Sequence, residues 1–295
     1  MSTRSDSYYG RPILKEPAWK QPDVPLYLFL GGMAGSSASI AALAERTGRP
    51  GLAAVGRLAA ASGAAASVLA LVHDLGRPAR FLHMLRVLKP TSPLSVGSWI
   101  LAPFSGLAAV SAGSAVTGWL PSAGRLAGAA AGLLGPAMCT YTAVLIADTS
   151  TPSWHEGRRE LPVLFAGSAM TSGAGVALLA APSSETTPVV RAALAGAAAE
   201  LTAAHRLEHK LGLVSEPYRT GRAGKLLKAA RGLTVAAAGL SLAARRSKFA
   251  AIASGAGYLA AGLCTRFGVY QAGVASARDP KYVVQPQRER KAAAR

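Results

Sequence analysis

The stretch that decides the fold is His73-Asp74-Leu75-Gly76-Arg77-Pro78-Ala79-Arg80-Phe81-Leu82-His83-Met84-Leu85, continuing through Pro90-Thr91-Ser92-Pro93-Leu94-Ser95-Val96-Gly97-Ser98-Trp99. It sets an Asp, two His and the cations Arg77, Arg80, Arg86 and Lys89 between two long apolar runs. Polar residues packed between apolar runs of that length describe a loop at the edge of a bilayer.

Outward from the loop, no charge interrupts the chain between Arg57 and His73 or between Lys89 and Arg125. Tracts of this kind recur about eight times, each near the roughly 20 residues that span a bilayer. Of the 295 residues 51% are hydrophobic, with Ala, Gly and Ser prominent over Leu. Small residues lower hydropathy but let helix backbones approach closely. The expected fold class is therefore an all-α integral membrane protein. Helices are expected over 25–44, 51–73, 95–119, 125–148, 160–181, 188–209, 225–244 and 249–272. An N-terminal arm over 1–24, held extended by Pro12, Pro17 and Pro22, precedes them. A basic tail over 273–295 follows, expected to be disordered or to lie on anionic lipid or a partner. The first 24 residues contain no apolar stretch of signal-peptide type, so no cleavable signal is expected.

Orientation follows from the cations. Of 32 Lys and Arg residues, 23 fall in the arm, the tail and the loops on the side of His73, eight fall on the other side, and Arg266 lies within the last helix. The positive-inside rule then places both termini and the 73–99 loop in the cytoplasm. The net charge of +18 invites a nucleic-acid partner, but this distribution attributes it to membrane topology instead. Trp19, Trp99 and Trp154 fall on the inner side and Trp119 on the outer, as interfacial belts would place them.

A charge at the depth of Arg266 costs about 2.5–3.5 kcal/mol on insertion scales, so it should face the bundle interior or snorkel. Glu200, set among alanines, is its natural counterpart. An ion pair between them is expected either to fix packing or, with Asp148, to mark a proton path. His73, Asp74, Tyr141, Asp148, Glu200, His205 and Arg266 should share one level near the inner face. Tyr141, His73 and Asp74 are the groups chemically suited to donate to quinone carbonyls and exchange protons. Asp74 with Gly76, Arg77 and Pro78 also reads as a capped turn with an internal salt bridge. Arg77 and Arg80 would dock an acidic partner surface. Cys139 and Cys264 share no ligand spacing and read as buried small hydrophobes, so metal ligands are expected to be none. Among the histidines, a His73/His205 pair is the one candidate for axial ligation, and the expectation is no haem and no cluster in this chain.

The run DLGRPARFLHML followed by PTSPLSVGSW resembles the signature of the NrfD/PsrC family, the polysulfide-reductase-type membrane subunits of molybdopterin and iron–sulfur oxidoreductases. Tyr8-Tyr9-Gly10-Arg11-Pro12, Lys15 to Trp19, Gly31-Gly32-Met33-Ala34-Gly35 and Tyr141 to Leu145 extend the resemblance. It implies eight transmembrane helices in two four-helix bundles, in the cytoplasmic membrane. It also implies a quinone pocket among the first four helices, near a cluster-bearing subunit and with a tyrosine on the fourth. Tyr141 fits that position, with Tyr27 the one candidate on the first helix and His73 nearby. The implied cofactor is menaquinone. The implied partners are a ferredoxin-like 4Fe-4S subunit and a molybdopterin catalytic subunit, in a formate dehydrogenase-like setting. Arg77, Arg80, His83 and Trp99 are the expected docking residues. The alternative is a proton or ion conduit, or a purely structural anchor, without quinone chemistry.

Overall fold

The computed structural model describes residues 13–77 and 79–293. The Tyr8 to Pro12 segment, Pro78 and the last two residues lie outside the described residues. The described chain is all-helical, with no strand. Its long helices are α1 (Asp23–Arg46), α2 (Pro50–Leu75), α4 (Pro93–Thr117), α5 (Pro121–Ala147), α7 (Leu161–Ala180), α8 (Thr187–Lys210), α10 (Gly221–Leu242) and α11 (Lys248–Arg278). Short helices α3 (Ala79–Met84), α6 (Pro152–Glu156) and α9 (Glu216–Arg219) lie in connections, and α12 (Lys281–Ala293) ends the fold.

Local chemistry sets the ends of these helices. Proline stands in the first turn of α2, α4, α5, α7 and α8, where its missing N–H costs nothing. Ser92 and Ser247 cap α4 and α11 by accepting from the backbone N–H of Ser95 and Ala250. Gly76 and Gly118 close α2 and α4 in the left-handed conformation at φ of 70° each.

Five helices, α1, α2, α4, α5 and α7, are long and apolar enough to cross a membrane. Side-chain size is distributed accordingly. Alanine, glycine and serine fill the helix contacts, while Leu133, Leu126, Leu69 and Val116 stand 83%, 72%, 70% and 70% exposed. Large aliphatic groups facing outward from a small-residue core suit hydrocarbon and oppose water. The protein is a multi-pass membrane protein.

Helix α1 is the spine. It packs against α2, α5 and α7, and more lightly against α11. Helix α4 packs on α5, α8 on α7, and α10 on α11, which returns to α7. The α1–α5 crossing is backbone to backbone. A Cβ on Gly35 would lie 2.6 Å from the carbonyl oxygen of Gly135 and from Cβ of Met138.

Two expectations for the ends need correction. The last long helix runs to Arg278, and the tail beyond it is not disordered but forms α12. Tyr282 is buried there, and Lys281 reaches the Glu216 carboxylate at 2.9 Å, so the tail has its own anchors. Trp154 is not a belt residue. It is fully buried in α6, donates from Nε1 to the Val269 carbonyl at 2.8 Å, and stacks on Trp19 at 5.7 Å between ring centroids. The arm over 15–20 has no regular secondary structure. It lies against the protein's own α6 and α11, where the Tyr270 hydroxyl donates to the Trp19 carbonyl at 2.5 Å.

Candidate functional site

Tyr27, in the second turn of α1, and Tyr141, near the end of α5, are brought together. Their hydroxyl oxygens lie 2.5 Å apart, both rings are buried, and the rings meet edge to face at 6.4 Å. Gly97 of α4 makes the pair possible, since a Cβ there would lie 2.8 Å from two carbons of the Tyr141 ring. Ser67 of α2 donates to the Tyr27 carbonyl at 3.2 Å. All four of the first long helices thus contribute to one small polar centre.

One turn above Tyr27 on α1, toward the loop end, Asp23 accepts from or shares a proton with His73, with Oδ2 at 2.8 Å from Nδ1. The His73 side chain is 77% exposed and Asp23 only 14%, so the carboxylate is the inner member. Asp23 was not singled out in the sequence. Its position in the first turn of α1 is the ordinary place for a helix-capping acid, and nothing in the local sequence marks it as the partner of a histidine 50 residues away.

Asp74 takes a different role from the salt-bridged turn expected. Gly76 does cap α2 in the left-handed conformation, but Asp74 accepts the backbone N–H of Lys20 at 2.8 Å instead of pairing with Arg77. It therefore ties the arm to the loop. Arg80 donates to the Leu75 carbonyl at 3.1 Å. Arg77, Arg80 and His83 are exposed, together with Leu82, Val87 and Leu88. Trp99, in the second turn of α4, is 42% exposed.

The remaining candidates stand apart from the tyrosines. Glu200 and Arg266 are both buried, yet among the described residues they do not form the expected ion pair. Glu200 accepts from Thr265 at 2.8 Å and from Thr234 at 3.5 Å. Arg266 donates to the Phe165 carbonyl at 2.9 Å and the Leu28 carbonyl at 3.4 Å, with its guanidinium 3.8 Å from the Phe165 ring centre. The reason is helical geometry. Thr265 and Arg266 are neighbours on α11, about 100° apart around the axis, so Thr265 faces α8 while Arg266 faces α1 and α7. Gly32 leaves the guanidinium its room, a Cβ there lying 3.4 Å from one of its nitrogens.

Asp148 follows the last residue of α5 and opens onto a surface groove of about 800 Å³ that it lines with His155, Lys210 and Tyr282. It is not beside Glu200. His205 stacks on His209 at 4.2 Å, while His73 is held by Asp23. Cys139 is buried and Cys264 only half-buried, which corrects the expectation for the latter. The polar residues expected near the inner face thus gather in separate places within the fold: the tyrosine pair, the Glu200 and Arg266 region, and the Asp148 groove.

Outside the membrane-spanning helices, Glu216 and Lys281 partner each other. The Lys281 ammonium holds the Glu216 carboxyl below the usual carboxylate range. Glu216 in turn raises the Lys281 ammonium above the usual lysine range.

No curated protein matches the chain. The family model for polysulphide reductase, NrfD, matches residues 18–187, which include both tyrosines, Asp23, Gly97 and the whole 73–99 loop. That match covers more than half of the chain and all of the tyrosine centre, and the chain belongs to the polysulphide reductase NrfD family.

Proposed function

We propose that this protein is the membrane anchor and quinone-reactive subunit of a molybdopterin and iron–sulfur oxidoreductase, of formate dehydrogenase-like type. Membership of the family supports a membrane subunit of a redox complex. The observation that carries the quinone reading is the Tyr27–Tyr141 pair. Two phenols share one hydrogen bond, so one hydroxyl proton is committed between them and the other is free to donate to a ligand carbonyl. The donor chemistry fits a quinone headgroup. Menaquinone would supply acceptance or release of two electrons together with two protons.

The chain's own groups have distinct tasks in this reading. Tyr141 holds a donor proton at its hydroxyl, and Tyr27 orients it from α1. Asp23 and His73, one turn nearer the surface, exchange protons with solvent through the exposed ring. Asp74 clamps the arm over this end. Arg77, Arg80, His83 and Trp99 present a basic and apolar rim to a ferredoxin-like 4Fe-4S subunit, which would bring electrons to the same end from the molybdopterin subunit. The cation excess of 23 to eight favours a cytoplasmic position for this rim and both termini, in the cytoplasmic membrane.

In the same reading α8, α10 and α11 also span the bilayer, giving eight spans. They are 24, 22 and 31 residues long, about 33 Å or more at 1.5 Å per residue. Their charged residues lower their hydropathy without shortening them. The packing of α1, α2, α4 and α5 and of α7, α8, α10 and α11 favours two four-helix halves joined along α1 and α7.

The test is quinone turnover by the intact complex carrying Tyr141→Phe, with co-purifying chains identified by mass spectrometry. Loss of turnover with the complex intact is expected. Unchanged turnover would refute the pocket and leave a conduit or structural anchor.

A further inference from the structure

The second group of helices contains a polar line that the tyrosine centre does not use. Glu200 and Glu208 lie eight residues apart on α8, two turns and about 12 Å along one face. Both are buried, at 3% and 4% exposure, although such groups within a membrane are costly. Their surroundings differ. Glu208 accepts from the Arg231 guanidinium at 2.7 Å, and the Arg231 side chain is 32% exposed. Glu200 is met by the hydroxyls of Thr234 and Thr265, with Leu164 of α7 beside them. Between the two carboxylates is a cavity of about 20 Å³, with Glu200, Glu208, Arg231, Thr234 and Thr265 on its wall and the rest of the lining apolar, from leucines and alanines that include Ala204. A space of that size holds a single water, for which the two carboxylates and the two threonine hydroxyls are the partners in an otherwise apolar wall. Ala204, midway between the glutamates on the same face, is what leaves it open.

We propose that Glu208, one water in this cavity and Glu200 form a proton-transfer line from the half-exposed Arg231 into the bundle core. A proton carried by the Glu208 carboxyl passes to the water oxygen as one of the water's own protons passes to the Glu200 carboxylate. The water is left unchanged, no electron moves, and Glu208 recovers a proton from solvent beside Arg231. Arg266, one residue beyond Thr265 and with one guanidinium nitrogen lacking a hydrogen-bond partner, lies past the inner end of the line. The line shares no residue with the tyrosine centre, so it stands or falls separately from the quinone reading.

The test uses the full-length protein in lipid nanodiscs and infrared difference spectroscopy during transfer from H2O to D2O. The carboxyl band that Glu200→Gln removes identifies the inner site, and its exchange rate is followed. Ala204→Leu fills the cavity without touching either acid, and it and Glu208→Gln should each slow exchange about tenfold or more by removing the relay. Ala204→Ser, which offers a hydroxyl in the same place, should keep the rate, as should Tyr141→Phe. If Ala204→Leu does not fold, Glu208→Gln carries the decision. Wild-type rates in the slowed variants, a slowed rate in Tyr141→Phe, or the lack of any Glu200-dependent band over the pH range in which the protein stays folded would each overturn the proposal.

Discussion

Replacing Tyr141 by Phe removes one hydroxyl of a buried pair 2.5 Å apart and leaves the Tyr27 hydroxyl facing a ring edge with no acceptor or donor. Stranding a buried polar group in this way costs about 1–3 kcal/mol, and Tyr27→Phe should cost a similar amount for the same reason. The double variant strands nothing. Its two apolar rings fill nearly the same volume, so it should be less destabilised than the sum of the singles, by a coupling of about 1 kcal/mol or more. The assay is denaturant unfolding of the purified protein in mixed micelles, for wild type, both singles and the double. Purely additive costs, or singles indistinguishable from wild type, would show that the two hydroxyls do not depend on each other and would refute the pair as a unit. Turnover gives the second reading of the same variants. Loss of a positioned proton donor lowers rate about 10²–10⁴-fold, and Tyr141→Phe should fall in that range while the complex stays assembled.

Gly97→Ala drives a methyl to 2.8 Å from the Tyr141 ring, so it should cost about 1–3 kcal/mol by overpacking and lower quinone turnover, checked by the same unfolding and turnover assays. Trp154→Ala empties the fully buried site where α6, α11 and the arm meet, and should cost about 3–5 kcal/mol in unfolding while also freeing Trp19, visible as a shift in its fluorescence. Docking of α12 should depend on pH in one direction on the acid side. Because the Glu216 carboxyl is held below its usual range by Lys281, the contact persists above the ordinary glutamate range and is lost as pH falls through the lowered value. A spin label at position 285 should gain mobility there, and Glu216→Gln should show high mobility at every pH.

Several features were legible before any coordinates. The charge-free tracts on either side of the 73–99 loop sufficed for the helices, because a bilayer admits few ways to satisfy a backbone. Helix ends were near their observed places for the same reason that Pro and Gly punctuate helices. Tyr27 and Tyr141 were singled out separately, one as the polar residue of its apolar helix and one through the family resemblance. Partners were less legible. Asp23 and Glu208 were not singled out at all, and Asp74 read as half of a turn salt bridge. Each owes its actual contact to a residue far along the chain: His73, the Lys20 backbone, and Arg231. The α12 helix was missed because its cations read as a basic tail, disordered or lying on lipid or a partner, while its anchor Glu216 lies in a different connection.

The amino-acid sequence by itself determined the class, the membrane and the family, because length of apolar run, charge distribution and a local motif are one-dimensional properties. Only the tertiary structure decided which polar groups meet. A rotation of about 100° between adjacent helix positions turns Thr265 toward Glu200 and Arg266 away from it, and a missing Cβ at Gly97 admits the Tyr141 ring. Such contacts depend on the azimuth and depth of several helices at once, set by close packing of small residues, and that information is written across the whole chain rather than in any one stretch of it.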